Sequence, residues 1–256
     1  AASKSPAIVG AVAYVGSADG VLAALDIETG DVQWTFTADS SLEGTPTVGD
    51  GIVYITSQFG TLYAVDAATG TERWTFDEKI APISAPIAVG DWLFVGADSG
   101  TYYAFDAITG DVRWTFDADG AISRSSAYVD GVIYTGSEDG NLYALDATNG
   151  SELWRFATGG DIVGTPTVAD GLVFVALPTG DGLFVIDAAT GEEVSQLTGL
   201  VGGAATPSSV TNGSIYVGGK DSNAFYRIDI ESGEVAWKLD VGSTMLAGPA
   251  VVGGVV

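Results

Sequence analysis

The sequence predicts an all-β protein built from six four-stranded antiparallel units, and three observations carry that prediction. The first is a repeat: Asp26, Asp66, Asp106, Asp146, Asp187 and Asp229 stand 40, 40, 40, 41 and 42 residues apart. Each opens a phrase like Asp66-Ala67-Ala68-Thr69-Gly70, and eight residues later comes Trp34, Trp74, Trp114, Trp154 or Trp237, with Ser195 in the fifth unit. Twenty residues after each Asp stands Pro46, Pro86, Pro166, Pro207 or Pro249, with Ser126 the exception. The second is the texture of the unit, in which short apolar runs are bounded by Gly-rich turns. The third is the lack of any 3.6-residue apolar pattern.

Within the second unit the expected strands are Thr45–Val48, Ile52–Thr56, Thr61–Asp66 and Glu72–Phe76. Turns at Gly49-Asp50-Gly51, at Phe59-Gly60 and at the Asp-to-Gly phrase separate them. Middle strands such as Val132-Ile133-Tyr134 and Leu142-Tyr143-Ala144-Leu145 are apolar on both faces. A sheet wedged between two others reads this way. Four-stranded units of this length, covered on both faces, fit the blades of a β-propeller. The expected blades are 5–43, 44–83, 84–123, 124–163, 164–204 and 205–246 of a single domain spanning 1–256. Residues 247–256 repeat the start of a unit, so a seventh blade is expected to begin there, within a parent ring of seven or eight.

The phrase Ala24-x-Asp26-x-x-x-Gly30-x-x-x-Trp34 resembles the tryptophan-docking motif of the pyrroloquinoline quinone (PQQ) repeat propellers. It recurs as Ala64/Gly70/Trp74, Ala104/Gly110/Trp114 and Ala144/Gly150/Trp154. The sixth unit keeps Gly233 and Trp237 with Arg227 at the Ala position, and the fifth has Val185, Gly191 and Ser195. The resemblance implies a structural role for these residues, the Trp packing between blades near the Gly and Ala of its neighbour. It also implies two branches. One is the quinone-dependent dehydrogenases, which hold PQQ with adjacent cysteines and a calcium ion. The other is the non-catalytic scaffolds like the BamB lipoproteins of outer-membrane assembly.

Composition separates those branches. The chain has no Cys and no His, which excludes disulfides, thiolate or imidazole metal sites, thiol nucleophiles and Ser-His-Asp chemistry. No PQQ and no other cofactor is expected, and no apolar run approaches the roughly 18 residues of a spanning helix. The formal charge is −24, from 9 Lys plus Arg against 33 Asp plus Glu. Such a surface repels nucleic acid and anionic lipid. It fits a protein of a salt-loving, haloarchaeal-type organism, or an acidic extracellular or periplasmic domain.

Individual residues carry weaker signals. Arg124 stands where the other units have Gly44, Ser84, Gly164, Ala205 and Ala247, near the start of an innermost strand. It is a candidate anion contact, or a partner for neighbouring carboxylates. The six turn Asp residues read as backbone caps. Gly213 to Ser222, with Lys220, fails as a phosphate loop because a strand follows where a helix is needed. Asn149 and Asn212 satisfy the glycosylation sequon and also suit turns.

The reading is therefore a non-catalytic binding or scaffold module, extracellular, at the cell surface or periplasmic, presenting loops to a protein, peptide or glycan. The alternative is a fragment of a PQQ-dependent dehydrogenase whose active site lies in further blades. A sensor domain fused to an anchor is a third class. Screening follows from the charge: at 1 M salt the screening length falls to about 3 Å. The thermal midpoint should rise steeply between low and molar KCl, as self-repulsion is screened. A midpoint indifferent to salt would contradict the salt-loving assignment.

Overall fold

The computed structural model describes residues 5–42, 44–77, 84–162, 164–177, 183–197, 209–218, 223–232 and 234–242. The expected partial blade at 247–256 lies outside them. The described residues form six separate four-stranded antiparallel sheets and no helix, each sheet taking its strands in chain order. We number them sheet 1 (7–37), sheet 2 (47–76), sheet 3 (87–117), sheet 4 (127–157), sheet 5 (167–197) and sheet 6 (209–240). The chain forms two compact units, Ala1–Ser125 with sheets 1 to 3 and Ser126–Val256 with sheets 4 to 6.

Sheet 2 shows how the sequence makes a unit. Its strands are Thr47–Gly49, Ile52–Thr56, Leu62–Asp66 and Glu72–Phe76. The first begins two residues later than expected, because Pro46 has no N–H to give a ladder. Asp50 (φ 47) and Gly51 (φ 75) make its first turn. Two consecutive positive φ angles define the tight hairpin whose twist suits antiparallel strands, and Asp and Gly tolerate them. Asp130-Gly131, Asp170-Gly171 and Asn212-Gly213 repeat it.

The core explains why the middle strands are apolar throughout. Val53, Ile55 and Val65 of sheet 2 pack with Tyr14, Leu22 and Ala24 of sheet 1. Ile52, Tyr54, Leu62 and Ala64 pack with Leu93, Val95 and Phe105 of sheet 3. Alternate residues thus serve opposite neighbours, and both faces are buried. In the second unit sheet 5 does the same, with Val173, Val175 and Ile186 toward sheet 4 and Phe174, Leu183 and Val185 toward sheet 6. Within each unit the first strands lie beside one another, and Thr47 Oγ1 donates to the Pro86 carbonyl at 2.6 Å. Fourth strands lie at the opposite edges and are the most exposed.

Each sheet carries a bulge at the same place. Ala64 pairs with Trp74 but Val65 pairs with Glu72, so Arg73 is the extra residue. The bulge re-aims it: the Arg73 guanidinium reaches Asp66 at 2.6 Å, and Arg113 in sheet 3 likewise reaches Asp106 at 2.6 Å. Arg113 also bonds Asp91 at 2.7 Å and lies 4.1 Å over the Trp92 ring. The other Asp66 oxygen accepts the N–H groups of Ala68 and Thr69 at 3.0 and 2.9 Å. Equivalent caps form at Asp26, Asp106, Asp146, Asp187 and Asp229.

These bonds favour the carboxylate form. The Arg73 guanidinium, then Thr69, hold Asp66 down to about 2, and Arg113 holds Asp106 down to about 2. The other four are lowered by their turn N–H and hydroxyl donors. A carboxyl depressed on folding stabilises the fold above its unfolded pKa of about 4, and that stability is lost as pH falls toward about 2. In molar salt, where repulsion is screened, the thermal midpoint should hold to about pH 4 and fall steeply below it. The Asp66→Asn/Asp106→Asn double variant should lower the midpoint at neutral pH and flatten the acid fall. An acid limb identical to that of the parent would refute the assignment.

Candidate functional site

Two features are candidates for function: the contacts between adjacent sheets, and the loop face where connectors meet the turns between second and third strands. In the first, the Trp34 indole N–H donates to the Ala67 carbonyl of the next sheet at 3.0 Å. Trp74 reaches the Ala107 carbonyl at 3.0 Å, and Trp154 the Ala188 carbonyl at 3.1 Å. The same three carbonyls accept the hydroxyls of Tyr14, Tyr54 and Tyr134 at 3.2, 2.9 and 3.2 Å. Burial pushes Tyr54 up to about 12, so its hydroxyl remains a donor at neutral pH. Each indole lies flat on a glycine: a Cβ on Gly70, Gly110 or Gly191 would come within 2.7, 2.7 or 2.6 Å of the Trp34, Trp74 or Trp154 ring. These glycines also sit at φ of 73–79°, so any larger residue meets both strain and a clash.

The remaining motif residues are placed as follows. Ala24, Ala64, Ala104 and Ala144 are fully buried, each paired across the ladder with the Trp of its own sheet. The Trp114 ring lies tilted 5.9 Å from Phe94 and stacks 6.2 Å from Tyr102, and Gly150 is buried with φ 73. Gly30 is exposed. In sheet 5 Gly191 receives Trp154, while Ser195 offers no indole. Trp237 is 37% exposed and pairs with Arg227, and Gly233 lies outside the described residues. The tyrosine partners were not singled out from the sequence. Tyr14, Tyr54 and Tyr134, each twelve residues before the turn Asp, were the signal available.

The loop face is laced to the sheets. The Leu42 and Ile122 side chains are fully buried, and their N–H groups donate to Ser17 and Ala97 carbonyls at 3.0 Å. Thr61 Oγ1 donates to Asp39 at 2.6 Å, the Asp39 N–H to Tyr63, and the Phe59 N–H to Ser40 Oγ. Phe59 itself is 65% exposed. Its counterparts Asp19, Ser99 and Asp139 are polar, so the sequence carried a signal for it. Arg124 is exposed on a connector and forms no ion pair with a described residue. At the matching positions Ser84 Oγ bonds the Gly96 backbone, and a Cβ on Gly44 would meet Thr56 Oγ1 at 2.8 Å.

Among the described residues no group of three acidic side chains is placed to hold a metal ion. A narrow cleft between sheets 2 and 3 is lined by Gly60, Leu62, Phe76, Val95, Ala97, Tyr103 and Phe105. Carbon dominates that lining. Asn149 and Asn212 are both exposed in turns.

A family model described as outer membrane protein assembly factor BamB matches residues 1–115, 103–194 and 180–256. No curated protein matches the sequence. Among solved structures, BamB from Moraxella catarrhalis is 21% identical, with a TM-score of 0.82 over 95% of this chain and 77% of that one. The computationally designed Ika8 protein is 18% identical, with a TM-score of 0.60 over 95% of this chain and 88% of that one. These likenesses show the fold: the six sheets are blades of a β-propeller of the PQQ-like repeat type.

If the indole contacts hold adjacent sheets together, Trp74→Ala should destabilise the chain by about 3–5 kcal/mol, as for other large core aromatics. Trp237→Ala, on an exposed ring, should cost less than about 1 kcal/mol. Denaturant unfolding of both variants in molar salt measures the difference. Equal costs would show that the indole seats carry no special weight.

Proposed function

The chain belongs to the family described as outer membrane protein assembly factor BamB, and on that premise we propose that it is a non-catalytic scaffold that binds a protein partner. The observation that carries this reading is the loop face: connectors pinned by buried Leu42 and Ile122 carry exposed Arg124 and hold, through Ser40, the turn that carries exposed Phe59. Binding residues concentrate on loops held by such frames. An exposed aromatic and an exposed arginine are the residue types that most often anchor protein interfaces. On the loops of the same unit Asp19, Asp39, Asp98 and Asp119 add acidic side chains. A partner with basic or hydrogen-bonding loops suits it, and the working location is the cell surface or the periplasm, in a high-salt medium.

Cross-linking the tagged full chain to native extracts in molar salt, followed by mass spectrometry, tests this. Contacts should map to residues 17–20, 38–42, 57–61, 97–101 and 118–126, and Phe59→Ala with Arg124→Ala should remove them. Contacts that map elsewhere would contradict the proposed face. Tight binding of PQQ by the isolated chain, read from tryptophan quenching, would instead support the dehydrogenase reading.

A further inference from the structure

One turn of sheet 4 departs from its counterparts in a way that the frame does not require. The third residue after each turn Asp is Thr29, Thr69, Thr109, Thr190 or Ser232, but in sheet 4 it is Asn149. Thr29, Thr69, Thr190 and Ser232 donate their hydroxyls to the Asp they follow. Two residues further on, Asp31, Thr71, Asp111, Glu192 and Glu234 are mostly acidic, and sheet 4 has Ser151. In sheet 4 Thr148 caps Asp146 through its own N–H and hydroxyl, which relieves Asn149 of that task. Asn149 Oδ1 accepts the Ser151 N–H at 2.8 Å, while Asn149 Nδ2 and the Ser151 hydroxyl bond no described residue. Both residues are exposed, as are the matching pairs in sheets 2, 3 and 5, whose preceding sheets lie in the same unit. The turn itself therefore sets the exposure. The second Asn-x-Ser sequence is built differently. Asn212 has φ 50, which its hairpin demands and Asn tolerates. Ser214 is 1% exposed, and its Oγ accepts the Arg227 Nε–H at 3.0 Å.

We propose that Asn149 is an N-glycan attachment site of the folded chain, and that folding closes Asn212 to the same reaction. An N-oligosaccharide transferase needs the Asn amide as nucleophile and the hydroxyl two residues on as its handle. In the transfer, Asn149 Nδ2 attacks C1 of a sugar carried on a lipid-linked pyrophosphate. The Nδ2–C1 bond forms as the C1–O bond breaks, the lipid pyrophosphate leaves with the electron pair, and the Nδ2 proton passes to a base of the transferase. Presenting Asn149 and Ser151 costs the turn two bonds of 2.8 Å, Ser151 N–H to Asn149 and Gly150 N–H to Asp146. Presenting Ser214 means lifting the second strand of sheet 6, Ser214–Gly218, out of the core. Opening a turn at the end of a sheet takes far less free energy than opening a buried strand. The site takes from the function proposed above only its location at the cell surface or in the periplasm, and its test involves no partner.

The folded full chain is incubated in molar salt with a salt-tolerant single-subunit transferase and a lipid-pyrophosphate-linked saccharide. Trypsin cuts after Arg124, Arg155 and Lys220, so fragments 125–155 and 156–220 carry one Asn-x-Ser each and are separated by mass. The same fragments, prepared beforehand, serve as unfolded acceptors. On the folded chain, sugar should be at least about tenfold more abundant on 125–155 than on 156–220, while the free fragments both accept it. Ser151→Ala should abolish transfer to Asn149 and Ser151→Thr should retain it, both leaving the thermal midpoint within about 1 °C of the parent. A folded chain that stays unmodified while free fragment 125–155 is modified would overturn the proposal. So would equal modification of both sites in the folded chain, or transfer that survives Ser151→Ala.

Discussion

The structure depends on one repeated contact, an indole laid on a bare glycine with its N–H capped by a neighbouring carbonyl. Sheets in a single layer have two faces to bury and need a fixed spacing and rotation between neighbours. Aliphatic packing gives cohesion without direction. The indole adds direction: Trp74 donates to the Ala107 carbonyl with Gly110 lying against its ring. Tyr54 donates to the same carbonyl from a different strand, so two donors on separate strands fix one acceptor. The geometry recurs with Trp34 and Trp154.

The period was legible because it is written in residues whose reasons are local. Asp66 caps its own turn, and Gly70 supplies a positive φ. Such needs recur at the same point of every unit whatever the neighbours are. The alternation of buried positions was legible too, since Val53 and Ile52 must both be apolar to serve opposite neighbours. What lay beyond the sequence was relational. That Ala64 faces its own Trp74 across a bulge, leaving Arg73 free to swing back to Asp66, depends on ladder register. The start of the inner strand at Thr47 rather than Thr45 reflects the proline's missing donor. Of the loop face, Arg124 was legible as a break in a column of small residues. Phe59 carried a like signal against Asp19, Ser99 and Asp139, but a turn residue is read for its backbone before its exposure.

The division between frame and loops is the link to function. Bonding groups on the turn side of each sheet are consumed locally, by Asp caps and by the Arg73 and Arg113 pairs. On the connector side the buried anchors are aliphatic, and Phe59 and Arg124 project from them. A frame that holds itself together through indoles and carbonyls can carry Phe59 and Arg124 exposed on its loops. Of the six basic residues that are described, Arg73 and Arg113 pin turns.

Hydrogen exchange at the indole nitrogens measures the central contact directly, because each tryptophan reports its own proton by NMR. The account predicts that the Trp34, Trp74 and Trp154 N–H protons exchange at least about a hundredfold more slowly than that of Trp237, opening only when sheets separate. Exchange of all four at a similar rate would contradict it, and would leave the sheets held by aliphatic packing alone.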